Sequence, residues 1–366
     1  MSHQQEHPRR REVTSGLSCV GRRSVITNHD RTVSLPEMFD SVWHLMSERT
    51  AGAVPHQIGP DPQSSASTGT WESQLRTGNS VGQSPNELTD AIEKLRREIQ
   101  LKEGTRARLY RPIRGPRRIR FPERGPGDTS VRILVTRNGS TAYARQPNQI
   151  GFDDLVFCHP MRDFSRRNGQ TNKPVAFYSR TVGDLVACES QHERRFAILA
   201  DWHEDVVHIA AQPFTIDFPP DHELDSHTPD FAVISRTGTV VIVDVKWPTA
   251  AVDSVVIRRH ALVGRQLWKA GMNHAVWSNA SAIITDNLAN FAAARVPENL
   301  MQDLAPKLLA AHRSGIRVRD LLDSVAEEHH VSTSTALVVL RRLLWEHQLN
   351  IDTMAPFTFD AELMRS

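Results

Sequence analysis

The sequence predicts an α/β fold: a mixed sheet flanked by helices, preceded by a low-complexity arm and followed by a small helical domain. Three observations predict it. Val240, Val241, Ile242 and Val243 form an unbroken apolar, β-branched run, the pattern of a strand buried on both faces. Amphipathic helical patterns at 188–202 and 252–270 flank that strand. From position 296 onward the pattern changes to leucines at helical spacing, with no further buried-strand run.

Composition bounds the rest. The 366 residues carry 44 Lys+Arg and 42 Asp+Glu, so the chain is neither histone-like nor an acidic tail, and any nucleic-acid surface must be local. Cys19, Cys158 and Cys188 are scattered, without a CxxC pair, which argues against a disulfide framework and a cysteine-zinc site. No apolar run approaches the ~20 residues of a membrane span. The start, Met1-Ser2-His3-Gln4-Gln5, lacks a signal-peptide core. A cytoplasmic protein, nucleoid-associated when on DNA, and with no membrane partner, is the expectation.

In chain order, residues 1–85 are expected to be mostly disordered, because His56 to Pro85 is rich in Gly, Pro, Ser, Gln and Thr. Leu35 to Met46 has one apolar face and reads as a short docking helix. Residues 86–159 are expected to hold a helix, an Arg-rich linker and a small β-hairpin. Leu88, Ile92, Leu95 and Ile99 make the helix stripe. Arg114, Arg117, Arg118 and Arg120 belong to a basic run, Arg106 to Arg124, that Pro112, Pro116 and Pro122 keep from being helical. Such chain suits phosphate contact, as does the second basic stretch with Arg166 and Arg167. Val131 to Arg145 reads as a hairpin around Asn138-Gly139, with a further strand at Leu155 to Phe157.

Residues 160–295 are expected to form the α/β domain. A helix covers Cys188 to Trp202, with Glu193, Phe196, Ala197 and Ala200 on its inward face. Val206 to Phe218 reads as one strand, and two more end in charge. Asp230 opens the first of these after Pro229, whereas Asp244 and Lys246 sit two apart at the end of the second and share a side. Charges at buried strand ends are costly unless paired or metal-bound. A divalent cation on Asp230 and Asp244, with Lys246 beside an attacking water, is a phosphodiester-hydrolysing arrangement, and hard oxygen ligands suit Mg²⁺. An inward Glu193 ahead of this hairpin is a third candidate acid. His203, His208, His260 and His274 show no i, i+4 pair on a helix and read as structural, and His227 reads as a turn residue.

Residues 296–366 read as three helices, 297–313, 318–329 and one capped by Ser332, followed by a terminal hairpin around Ile351 to Phe359. Two helices joined through His329-His330-Val331-Ser332 have helix-turn-helix form. The third carries few base-reading side chains beyond Arg341 and Arg342, which favours a protein partner over DNA.

The pattern Pro229-Asp230, a gap, then Asp244-Val245-Lys246 resembles the signature of the PD-(D/E)xK nuclease superfamily. With Glu189-Ser190 to Glu193-Arg194, Gln212-Pro213, His227-Thr228-Pro229-Asp230-Phe231 and Arg265-Gln266-Leu267-Trp268, it is similar to the TnsA-like endonuclease subunit of heteromeric transposases, over about residues 160–280. That resemblance implies a restriction-endonuclease-like core and a winged-helix-like C-terminal domain. It implies Glu193 as the helix acid, Asp230 as the central metal-binding aspartate and Asp244 at a position where the family carries Glu, Asp or Gln. It further implies Lys246 as the lysine serving the water and the developing phosphorane charge, and the Val245 carbonyl as a metal ligand. Gln212 stands either just behind the ligands or as a strand-end structural residue. The implied cofactor is Mg²⁺, with Mn²⁺ as a substitute. The implied partners are transposon-end DNA, a separate integrase-like transposase and an ATPase regulator. A stand-alone restriction or repair endonuclease, and a non-catalytic assembly factor, are the alternatives.

Overall fold

The computed structural model describes residues 70–77, 88–94, 97, 119–162 and 174–365. The readings of Leu35 to Met46 and of Arg114, Arg117, Arg118, Arg166 and Arg167 lie outside those residues. From position 70 onward the described chain belongs to one compact unit.

The architecture is mixed α/β. In order come α1 (Trp71–Thr77), α2 (residues 88–94), β1 (Arg132–Val135), β2 (Tyr143–Arg145), α3 (Phe152–Val156), β3 (Val175–Ser179), β4 (Asp184–Cys188), α4 (Gln191–Trp202), β5 (Val206–Ala211), β6 (Thr215–Asp217) and β7 (Ser226–His227). Then follow β8 (Phe231–Ser235), β9 (Val240–Val245), α5 (Pro248–Ala251), α6 (Ser254–Lys269), β10 (Asn273–Trp277), α7 (Ala282–Ala292), α8 (Glu298–Ala311), α9 (Val318–His329), α10 (Thr333–Trp345), β11 (Leu349–Ile351) and β12 (Leu363–Arg365).

The central sheet has the order β10-β9-β8-β5. β9 runs parallel to β10, while β8 is antiparallel to both β9 and β5. Every residue of β8 and β9 is buried, as their β-branched runs require. Gly238 closes the β8–β9 turn at φ 84°, a conformation only glycine adopts without strain. The register pairs Phe231 with Val243 and Ile234 with Val240, so side chains alternate between two apolar faces. On one face Phe196 of α4 packs at 5.2 Å from Phe231 and 5.6 Å from Trp277. On the other, Ala232, Ile234, Val240 and Ile242 share a core with Val263 and Leu267 of α6 and with Phe214, Ile216, Ile133 and Val135.

That second core unites regions expected to be separate. β1 pairs with β6 as well as β2, so strands from either side of position 160 share the sheet β2-β1-β6-β7. Asp217 ties this sheet together. Its Oδ2 accepts from Arg124 Nη2 at 2.8 Å and from Arg132 Nε and Nη2 at 2.9 and 2.6 Å. Arg124, read as part of the phosphate-contacting run, is therefore a structural residue. Asp217→Ala leaves the largely buried Arg132 guanidinium without its anion and takes the nearer of two from Arg124, and is expected to cost about 2–3 kcal/mol in a denaturant titration.

Other expectations need correcting. Leu155 to Phe157 is not a strand: Phe152–Val156 is helical, with Asp153 and Asp154 in its first turn, where acidic groups favour helix starts. Val206 to Phe218 is not one strand. Gln212 takes φ 44° and Pro213 lacks an N–H, so β5 ends and β6 joins the other sheet. Cys188 ends β4, and the following helix begins at Gln191 behind the Ser190 cap. Within the low-complexity arm, Trp71–Thr77 is helical, with Trp71 and Leu75 buried one turn apart. Trp71 meets Phe196 edge-on at 5.3 Å, and Gln74 Nε2 donates to the His274 carbonyl at 3.0 Å.

The C-terminal residues pack α8, α9 and α10 around Leu304, Leu308, Leu321, Leu322, Val339 and Leu340. His330 caps α9 at φ 53°, and the Ser332 side chain accepts from Thr335 N to start α10. β11 and β12 pair antiparallel, and β12 also meets Arg317 through a bridge at Glu362. α7, absent from the sequence reading, packs between α4 and α10.

Candidate metal-binding carboxylate site

β8 and β9 place their acids side by side. Extending the register by one pair beyond Phe231 and Val243 sets Asp230 opposite Asp244 on one face. Asp230 Oδ2 accepts from the Val245 amide at 2.7 Å and from Lys246 Nζ at 3.3 Å. Lys246 Nζ also donates to the Val245 carbonyl at 3.1 Å and lies 3.8 Å from Asp244 Oδ1. The left-handed turn at Gln212 supports Asp230 from behind. Its amide donates to the Asp230 carbonyl at 2.8 Å, while its own carbonyl and Oε1 accept from the amides of Met161 and Arg162. Gln212 thus touches Asp230 through the main chain.

Glu193 arrives from α4. It occupies the third helical position after the Ser190 cap and folds back over the helix start, accepting from Ser190 Oγ at 3.0 Å and from the Glu189 amide at 2.6 Å. Burial, with the neighbouring Asp230 charge adding to it, pushes the Glu193 carboxyl up to about 8. Burial and the facing Asp244 charge also raise the Asp230 carboxyl, against the pull of Lys246 and the Val245 amide. Asp230, Asp244 and Lys246 are therefore in contact, and Glu193 lies near enough to Asp230 for their charges to interact. Glu189 lies outside the helix, and its carboxylate pairs instead with Arg162 at 3.3 Å.

Asp244 is held differently from its neighbours. Oδ2 lies 3.0 Å from His227 Nε2, 2.8 Å from His274 Nε2 and 3.2 Å from His260 Nδ1. Burial opposes ionisation of Asp244, but the His227 charge and hydrogen bond, with His260 and His274 beside it, outweigh burial and hold it well below the usual carboxylate range. His260 and His274, read as structural, both reach Asp244, and His227 lies in β7 rather than in a turn. The search for paired histidines on one helix missed them because β7, α6 and β10 each supply one. One signal was readable: His260, Val263 and Leu267 share the inward stripe of α6. Gly264 leaves room for the third ring, since a Cβ there would lie 3.2 Å from His274 Nδ1.

Two further neighbours escaped the sequence reading. His192 Nε2 lies 3.0 Å from the Lys246 carbonyl, which can only accept, so Nε2 carries the proton. Its ring stacks on Trp247 at 4.2 Å, and the Trp247 indole is 56 % exposed beside Lys246. Arg120 pairs with Thr141 in an isolated bridge, and its side chain donates to the Thr141 hydroxyl.

The donor set fits a hard divalent cation. Asp230 and Asp244 face one lysine, Glu193 and Asp230 are pushed toward protonation, and Asp244 Oδ1 is buried with no hydrogen-bond partner. A cation held by Asp230, Asp244, Glu193 and the Val245 carbonyl would relieve all three conditions. No family model matches the chain, and none of the curated proteins matches it.

A pH dependence follows. Glu193 has a raised folded-state carboxyl, so its contribution to stability is fully present below the ordinary value of 4.5 and is lost as pH rises through about 8. In a chelator, thermal stability is expected to fall across that window and then level off. Mg²⁺ is expected to shrink the fall, because it binds the ionised form.

Proposed function

We propose that the chain is a Mg²⁺-dependent DNA endonuclease subunit of a heteromeric transposase, cutting the 5′ ends of its transposon while a separate integrase-like subunit acts on the 3′ ends. The observation that carries this reading is the convergence of Glu193, Asp230, Asp244 and Lys246 where β8 and β9 end against α4. The β10-β9-β8-β5 sheet between α4 and α6 supports a PD-(D/E)xK core. α8 to α10 with the β11–β12 pair support a winged-helix-like domain. The TnsA-like resemblance supplies the transposon context, the integrase-like partner and the ATPase regulator.

In this reading Glu193, Asp230, Asp244 and the Val245 carbonyl would hold Mg²⁺, or Mn²⁺ in its place, and the ion when bound would supply Lewis acidity toward a phosphate oxygen and lower the pKa of a water. Lys246 holds its ammonium between Asp230 and the Val245 carbonyl, where it orients the water and offsets charge developing at phosphorus. His192, hydrogen-bonded to the Lys246 carbonyl, fixes that residue's backbone. The Trp247 indole gives a nucleotide base an apolar surface on which to stack.

The test is incubation with transposon-end DNA and Mg²⁺ or Mn²⁺, with and without an integrase-like transposase, mapping new 5′ ends. Cutting that needs the partner supports the subunit reading. Cutting of bare DNA alone assigns the protein to the stand-alone nucleases. Binding without cutting in every combination removes the catalytic reading and leaves an assembly factor. The location is then cytoplasmic, on nucleoid DNA; among the described residues no helix is long and apolar enough to cross a membrane.

A further inference from the structure

We infer that His227, His260, His274 and Asp244 Oδ2 form a second, transition-metal site, which shares only the Asp244 carboxylate with the oxygen site at Glu193 and Asp230, and that it takes Zn²⁺. The ligand atoms of His227, Asp244 and His260 all lie within 4.8 Å of one another. His274 Nε2 completes a set of three imidazole nitrogens around one carboxylate oxygen at 2.8–3.2 Å. Neighbouring ligands of a tetrahedral zinc lie about 3.3 Å apart, and the three distances from Asp244 Oδ2 to the imidazole nitrogens are near that.

Hydrogen bonding alone leaves the cluster incomplete. His260 is 6 % exposed, and neither of its ring nitrogens has a hydrogen-bond partner. Its Nδ1 lies 3.2 Å from Asp244 Oδ2, but the ring is not aligned to donate there. His227 and His274 already approach the same oxygen. A buried imidazole aimed at a crowded carboxylate oxygen is what a shared cation would explain, and imidazole nitrogen with one carboxylate suits Zn²⁺ better than Mg²⁺. The rings are also held apart as ligands need: His227 and His260 are perpendicular at 5.6 Å, and His260 and His274 lie 5.5 Å apart. The two Asp244 oxygens divide the work. Oδ2 belongs to the imidazoles, and Oδ1 faces Lys246. A zinc at this site would anchor β7, α6 and β10 to the end of β9 and fix the direction in which Oδ1 points.

The full chain, purified without chelator and dialysed against a weak competitor, is expected to retain one zinc per chain by elemental analysis. X-ray absorption is expected to find light-atom scattering at about 2.0 Å with imidazole outer-shell features. His260→Gln, checked for folding by circular dichroism, is expected to weaken zinc retention by ~100-fold or more. Cobalt added to zinc-free wild-type protein is expected to give the intense visible bands of four-coordinate Co²⁺, which gives a reading that needs no variant. Asp230→Asn, which disables the oxygen site, is expected to keep its zinc, so loss of nuclease activity and loss of this site are distinguishable. No zinc retained by wild type, no cobalt bands, or zinc lost with Asp230→Asn would each overturn the inference.

Discussion

Asp230→Asn is expected to lower Mg²⁺-dependent cleavage of transposon-end DNA by about 10²–10³-fold or more, the loss typical when a group that stabilises transition-state charge is removed. The amide can still accept from the Val245 N–H, so the β8–β9 ends keep their shape. What disappears is the charge that would bind the cation and the partner of Lys246. The same substitution removes a like charge beside Glu193 and Asp244, so without divalent cation the variant is expected to melt no lower than wild type. A structural role predicts the reverse: unchanged cleavage and a lower melting temperature. Lys246→Ala is expected to match the loss of cleavage, with DNA binding largely kept, because one ammonium is a small part of any phosphate-contacting surface. Mapped 5′ ends, melting curves and a mobility-shift titration on the three proteins decide between these outcomes.

Phe196→Ala is expected to cost about 3–5 kcal/mol and lower the melting temperature by roughly 10 °C. The ring is fully buried and sits between Trp71, Phe231 and Trp277, which come from α1, β8 and β10. Three rigid neighbours cannot collapse into the vacated space, so both the transfer and the cavity contributions apply in full. Phe196→Leu keeps most of the volume and is expected to cost less than half as much. Val255→Ala, at a position 74 % exposed, is expected to stay within about 0.5 kcal/mol. Equal losses at Phe196 and Val255 would contradict this account of the core.

The buried strands were legible because β-branched runs have few alternatives. Val240 to Val243 can satisfy its burial only in the middle of a sheet, and β9 is there. The acids and Lys246 were legible for the same reason: charge at the end of such a run needs a partner. α6 followed from periodicity, and α9 and α10 from leucine spacing and the Ser332 cap. The failures have a common cause in non-local structure. The β4 run Asp184 to Cys188 gains its identity by pairing with β3. The Gln212 turn hides inside an apolar stretch whose two halves join different sheets. Trp71 and Leu75 stood in a polar stretch whose average composition outweighed them. The histidines around Asp244 were invisible as a group, because no spacing along the chain records that three separate elements end at one oxygen.

The short helix α1 has a consequence for where this fold begins. β10 is an outer strand of the central sheet, and an outer strand with open backbone groups invites pairing with another chain. Here a side chain from far earlier in the sequence, Gln74, takes up one of its carbonyls, while Trp71 lies against the Phe196 ring beneath. Composition would set the limit of the folded region after Pro85, yet the packed structure begins at least as early as Trp71. A chain trimmed at the compositional border would lose the guard on its own sheet edge and become prone to self-association through β10.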